Sequence, residues 1–180
     1  MVENYIQKVL NGDGDAFRFI INDYKNVAFS FAMSVLKDEY LAQEALQISF
    51  IKVYSKLHTF KGKSKFSTWL YRIVVNESFK VLKKQKNNFI VFDELAETLA
   101  VESDAYKIKD KNDYEKYYIN EALKRLKPKE SLVLRLFYLE EHSIKEIIDI
   151  TGWSKSNIKV ILHRARVNMK KRMQKYFTNG

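Results

Sequence analysis

Residues 143–166 read SIKEIIDITGWSKSNIKVILHRAR. Ser143, with Glu146 three residues on, makes a capping-box pattern, in which a hydroxyl and a carboxylate satisfy the free amides at a helix start. It opens a predicted helix over residues 144–150. Gly152 suits the left-handed residue that ends a helix. Ser154 can then cap a longer helix running to about Phe177. A short helix, a turn with glycine and a basic helix form the helix-turn-helix pattern. At about 100° per residue, Ile158, Ile161, Leu162, Ala165 and Met169 share one arc of the last helix and should pack inward. The opposite arc holds Ser156, Lys159, Val160, His163 and Val167, flanked by Asn157, Arg164 and Arg166. That division suits a helix seated in a major groove, with its N-terminal residues at base edges and its cations on phosphates. It also fits a bundle helix whose basic face is merely solvated. The cap, the glycine turn and the basic helix together weigh toward DNA.

The rest of the chain reads as helix too. Among 180 residues there are five glycines and one proline, too few to punctuate strands and tight turns. The expectation is an all-α fold of two small helical domains, the second containing the helix-turn-helix. Helices are predicted from about Ala16 to Leu36, from about Glu39 to Leu57 under an Asp38 cap, and through about Lys84 after the Lys61-Gly62-Lys63 loop. Pro128 suits the first turn of a helix reaching about Leu139. Residues 89–115, FIVFDELAETLAVESDAYKIKDKNDYE, lose the helical period and read as a mostly flexible linker with at most one short helical turn.

Charge follows the same division. Residues 1–88 carry 14 Lys and Arg against 8 acids, net +6; residues 89–115 carry 3 against 8, net −5; residues 116–180 carry 15 against 6, net +9. Two basic blocks around an acidic insert favour a polyanionic partner through counterion release. The absence of cysteine excludes thiol chemistry and fits a reducing compartment. The N-terminal residues show no signal pattern and no apolar run is long enough to cross a membrane, so a cytoplasmic protein without membrane insertion is expected. His58, His142 and His163 lie in separate elements. No metal-spaced cluster and no phosphate-cradling glycine loop accompanies them, so no metal, cofactor or catalytic residue is expected.

Two stretches of the N-terminal half stand out. In LAQEALQISFIKVYSKL, Leu41, Glu44, Ile48 and Ile51 lie roughly opposite the apolar arc, with Gln47 beside them. That face suits either a protein partner or a helix sandwiched within its own domain. In HTFKGKSKFSTWL and the residues after it, Trp69 shares an arc with Arg72, Ile73, Asn76, Lys80 and Lys83, away from Leu70, Tyr71, Val74 and Val75. A tryptophan among cations suits stacking on a base, and the preceding lysine loop could take a base out of the duplex. The alternative is a tryptophan that fills a gap beside a neighbouring helix.

Taken in order, GDGDAFRFIINDY, LKDEYLAQEALQISFIKVY, FKGKSKFSTWLYRIVVNESF and LKPKESLVLRLFYLEEHSIKEIIDITGWSKSNIKVILHRAR resemble bacterial sigma-70 family factors. More narrowly, the chain resembles the extracytoplasmic-function (ECF) type. The resemblance implies that residues 1–88 bind and open the −10 promoter element and that residues 116–180 read the −35 element. Lys61, Lys63, Ser64, Lys65, Trp69, Arg72, Asn76 and Lys80 would meet −10 DNA. Ser154, Ser156, Asn157, Lys159, Val160, His163, Arg164 and Arg166 would meet −35 DNA. Leu41, Glu44, Gln47, Ile48 and Ile51 would dock on the coiled-coil clamp of core RNA polymerase. The acidic linker would thread toward the RNA exit path, and an anti-sigma factor would be a further partner. This sequence departs from the family pattern where Leu41 and Gln43 replace acids and Ile48 replaces a glutamate, so docking should rest more on apolar contact. Ser156-Asn157 and Ile161 stand where relatives often carry Gly-Thr and an arginine, so no known −35 preference transfers. A stand-alone helix-turn-helix regulator and a nuclease are the readings from other classes. The exposed clamp face and the lysine–tryptophan helix count against the first, and the scattered histidines against the second.

Overall fold

The computed structural model describes residues 2–89 and 111–177, and every regular element among them is helical. Most of the segment expected as an acidic linker, residues 90–110, lies outside the described residues.

Helix α1, Val2–Leu10, buries Ile6 and stacks Tyr5 on Phe19 at 4.7 Å between ring centres. A turn follows, in which the Asp13 side chain accepts from the Ala16 amide. Helix α2, Phe17–Leu36, turns Ile20, Ala28, Phe31, Ala32 and Val35 inward. It ends at Lys37, a non-glycine residue held at φ 61°. Asp38 accepts from the Leu41 amide at 2.8 Å and so starts α3, Glu39–Lys56. This is the cap expected, because a short acid at this position satisfies an amide that has no partner in the helix. Helix α4, Phe66–Phe89, runs about a turn past the expected end at Lys84. No glycine or proline follows Lys84 to stop it. Leu70, Tyr71, Val74 and Val75 face α2 and α3, and these helices form the N-terminal core.

Helix α5, Lys111–Lys124, begins inside the stretch read as linker. The sequence there, KNDYEK, gives no apolar period to read. Pro128 occupies the first turn of α6, as expected, but α6 ends at Leu134. Residues Arg135–Leu139 continue as a π-helical turn, with the Glu140 amide donating to the Arg135 carbonyl. Helices α7, Ile144–Thr151, and α8, Lys155–Phe177, complete the C-terminal half. Here α6 and α8 interlock through Leu132, Val133, Ile158, Leu162 and Ala165.

The halves do not stand apart. Helix α4 packs on α7 and α2 on α6, and the apolar core runs through both. Phe31, fully buried, meets Tyr71 edge-on at 4.9 Å, and the His142 ring lies 6.5 Å from Phe31 and 6.2 Å from Tyr71. Arg135 donates to the Ser34 hydroxyl at 3.0 Å and to the Asn120 side-chain oxygen at 2.9 Å. The Lys37 amine donates to the Leu123 carbonyl at 2.7 Å.

Candidate nucleic-acid interface

The turn between α7 and α8 is fixed by bonds that the sequence spells out. The Ser143 hydroxyl accepts from the Glu146 amide, and the Glu146 carboxylate accepts from the Ser143 amide at 2.9 Å. Gly152, at φ 72°, donates to the Ile148 carbonyl at 2.8 Å and closes α7. The Trp153 amide donates to Thr151, and the Asn157 amide to the Ser154 hydroxyl, which starts α8. Within α8, Ile158, Ile161, Leu162 and Ala165 are buried, and Met169 is half-buried. Ser156, Asn157, Lys159, Val160, His163 and Arg164 face solvent. Ile161 therefore points into the core.

Three of the residues expected at −35 DNA are also engaged within the chain. Ser154 is the cap, and its hydroxyl lies 3.1 Å from that of Ser156. Arg166 is exposed, but its Nε donates to the Tyr138 hydroxyl at 2.7 Å, and its guanidinium lies over the Phe137 and Tyr138 rings.

The second cationic face belongs to α4 and the loop before it. Lys61, Lys63, Ser64 and Lys65 are exposed around Gly62, which sits at φ 68°. Trp69 is half-buried, with its ring 5.5 Å from Phe60 and 5.7 Å from Phe66. It thus braces an aromatic cluster while keeping part of its surface open. Arg72, Asn76 and Lys80 are exposed along the same helix.

Several of these cations already hold an oxygen. Lys65 donates to the Glu146 carboxylate at 2.8 Å, and Arg72 to the Asp149 carbonyl at 3.4 Å, both across to α7. Lys80 donates to Glu77 at 2.8 Å, and Lys52 bonds the same carboxylate. Glu77 is buried, which pushes its pKa up, but the hydrogen bonds and charges of Lys52 and Lys80 outweigh that and hold it below its ordinary value. The hydrogen bond from Lys65, followed by those from Ser143, lowers the Glu146 pKa to about 2. Burial holds the His142 imidazole below its ordinary range, although Glu146 and Glu140 oppose the shift.

The candidate protein-binding face lies on α3. Ala42, Ala45, Ser49, Phe50 and Val53 are buried, whereas Glu44, Gln47 and Ile51 face solvent and Leu41 and Ile48 are half-buried. Ile51 is 69% exposed, so the helix is not sandwiched at that point. Tyr40 and Tyr54 extend the exposed stripe at both ends. Sequence reasoning missed both, although their spacing of four and three residues from Glu44 and Ile51 was there to be read. It also missed Lys52 and Glu77, whose pairing spans two helices.

Among the described residues no cluster of His, Cys, Asp or Glu could hold a metal ion, and no helix is long and apolar enough to cross a membrane.

Comparison with known proteins bears on these surfaces. The family model described as Sigma-70 region 2 matches residues 20–88, and that described as Sigma-70, region 4 matches residues 116–169. The ECF RNA polymerase sigma factor SigM of Bacillus subtilis (strain 168) is 31% identical over 150 residues, covering 82% of this chain and 88% of that protein. The ECF RNA polymerase sigma factor SigW of the same organism is 28% identical over 182 residues, covering 97% of each. Among solved structures, the sigma factor RpoE in complex with the anti-sigma factor NepR from Bartonella quintana superposes with a TM-score of 0.70 at 21% identity, over 88% of this chain and 96% of that one. CnrH in complex with the cytosolic domain of CnrY gives 0.65 at 16% identity, over 94% and 95%. At such identities these structures speak for the fold alone.

Proposed function

Because the chain belongs to the sigma-70 family, as an RNA polymerase sigma factor of the ECF type that directs core enzyme to promoters, we propose how its surfaces divide that work. Residues 1–88 hold polymerase and open the −10 element, and residues 116–180 read the −35 element as duplex. The exposed side of α8, from Ser156 to Arg164, reads base edges and holds phosphates. The Lys61–Lys65 loop, Trp69, Arg72, Asn76 and Lys80 receive the opened −10 strand. Leu41, Glu44, Gln47, Ile48 and Ile51 dock on the polymerase clamp, and the resemblance gives an anti-sigma factor as a further partner. The chain catalyses nothing itself; phosphodiester formation belongs to the polymerase, in the cytoplasm.

The observation that carries this reading is the capped, glycine-turned helix pair that sets an apolar arc of α8 inward and a basic arc outward. That is the geometry of a major-groove reader. A gel shift on promoter DNA with and without core polymerase tests it. The expected result is weak binding by the chain alone and a stable, specific complex with polymerase. Tight, specific duplex binding by the chain alone would point instead to a stand-alone regulator.

A further inference from the structure

We propose that the cleft where α2, α5 and α6 meet binds a small phosphate-bearing anion, held by Lys37, Arg135 and Ser131.

None of these three residues belongs to the DNA-reading or polymerase-docking faces described above. Lys37 follows the last turn of α2, Ser131 lies in α6, and Arg135 directly follows α6. All three line one cleft of about 450 Å³, together with Ser34, Tyr117 and Asn120. Small-molecule sites usually span roughly 300–1,000 Å³. Lys37 and Arg135 are half-buried, and among the described residues no carboxylate is bonded to either. Their acceptors are neutral. The Lys37 amine donates to the Leu123 carbonyl, and Arg135 donates through Nε to Ser34 and through Nη2 to the Asn120 side-chain oxygen. An ammonium has more than one N–H and a guanidinium more than two, so both have donors to spare. The Ser131 hydroxyl is fully buried and has no hydrogen-bond partner. Buried hydroxyls are nearly always paired, so one left unpaired on a cationic cleft wall suits a ligand oxygen.

Two like charges buried side by side cost free energy unless an opposite charge joins them. The cost shows at Lys37, whose amine is pushed down to about 7 by burial and by the Arg135 charge. Burial also lowers Arg135, against the pull of Glu140. Among the described lining residues the one carboxylate, Glu121, is bonded to Lys124 at 2.6 Å. The backbone adds a further mark. Lys37 sits at φ 61°, where a helix more often ends on glycine. The fold accepts that strain and keeps a long cation at the cleft.

A tetrahedral dianion answers all three groups, with charge for Lys37 and Arg135 and an acceptor for the Ser131 hydroxyl. The planar fork of arginine suits phosphate oxygens in particular. Phe29 and Met33 give the cleft an apolar wall for the organic body of a phosphate ester. A ligand there is shared by both halves of the chain and stabilises the folded state by mass action.

Isothermal titration calorimetry on the full chain, at constant ionic strength, tests the site. Inorganic phosphate, glycerol phosphate and adenosine monophosphate serve as separate probes. One-site binding by at least one of them is expected. Tightest binding by inorganic phosphate makes the free ion the ligand, and tighter binding by an ester makes it a carried phosphate. Arg135→Gln and Lys37→Met should each weaken the best probe about tenfold or more. Ser131→Ala leaves both charges in place and should weaken it by a smaller factor, and circular dichroism checks that every variant keeps its helices. Sulfate keeps its charge between about pH 6 and 8 and so isolates the amine. Its affinity should fall toward the higher pH, because the anion favours protonated Lys37, and Lys37→Met should remove that fall. Besides Arg135, the titratable groups sharing the cleft with Lys37 are Glu121, Lys124 and Tyr117 of α5, all kept in that variant. No saturable binding by any probe overturns the proposal. So does affinity unchanged in all three variants, or a sulfate affinity that ignores pH in the unmodified chain. The chain is titrated alone, so the outcome is independent of the promoter reading.

Discussion

The basic faces of α4 and α8 were legible from the same kind of pattern, yet the fold treats them differently. On α8, Lys159, His163 and Arg164 stand in solvent around a buried arc of Ile158, Leu162 and Ala165. On α4 and its loop, Lys65, Arg72 and Lys80 each already hold an oxygen, two of them from the other half of the chain. Helical phase tells which side of a helix a cation occupies. It does not tell what meets that cation in the free molecule.

The largest effect should come from the scaffold that both faces share. Phe31 is fully buried where the halves meet, so Phe31→Ala should cost about 3–5 kcal/mol in urea unfolding. A near-neutral result would break the comparison, because it would mean the core does not run through both halves.

Next in size, Trp69→Ala should weaken open-complex formation more than closed-complex binding, by roughly the 1–3 kcal/mol typical of a base stacked on an aromatic ring. Rapid-mixing footprinting separates the two steps. Equal losses in both would leave Trp69 as a brace for Phe60 and Phe66 and nothing more.

On the open face, Arg164→Ala should weaken duplex binding about equally across sequences and reduce the salt slope by about one. An unchanged slope would remove Arg164 from the phosphate contacts and leave α8 less distinct from α4.

A different kind of effect, read from pH and not from DNA affinity, concerns the junction. Burial, with help from the Arg135 charge, pushes the Lys37 amine down to about 7. The unfolded chain keeps that proton up to the ordinary value of 10.5, so it binds more protons than the folded chain between those limits. Stability should therefore rise with pH through that window, and Lys37→Met should flatten the rise. Tyr71, whose hydroxyl is pushed upward by burial, opposes the trend above its ordinary value of 10.0, so the measurement is best confined below it.

What could be read from sequence was local. Ser143 and Glu146 lie three residues apart, Asp38 precedes the helix it caps, and the α8 arcs follow from one period. These features came out where they were expected because each depends on neighbours within about a turn. The contacts that join the halves were not legible. Lys65 meets Glu146 from 81 residues away, and Arg135 meets Ser34 from 101. No periodicity encodes such pairs; they arise when helices from separate segments pack. The π-helical turn after Leu134 was missed because its residues read as ordinary helix formers. Trp69 was read on the cationic arc of α4; it is half-buried, and its contact with Phe60 depends on how the preceding loop folds back.

The most direct test of the account is run-off transcription with core polymerase and this chain over a library randomised at both promoter elements. The account predicts polymerase-dependent transcripts with two separated enriched elements. Changes confined to α8 residues such as Lys159 should shift only the upstream preference, and changes to Arg72 or Asn76 only the downstream one. Absence of enrichment with polymerase, or a single duplex element selected by the chain alone, would contradict it.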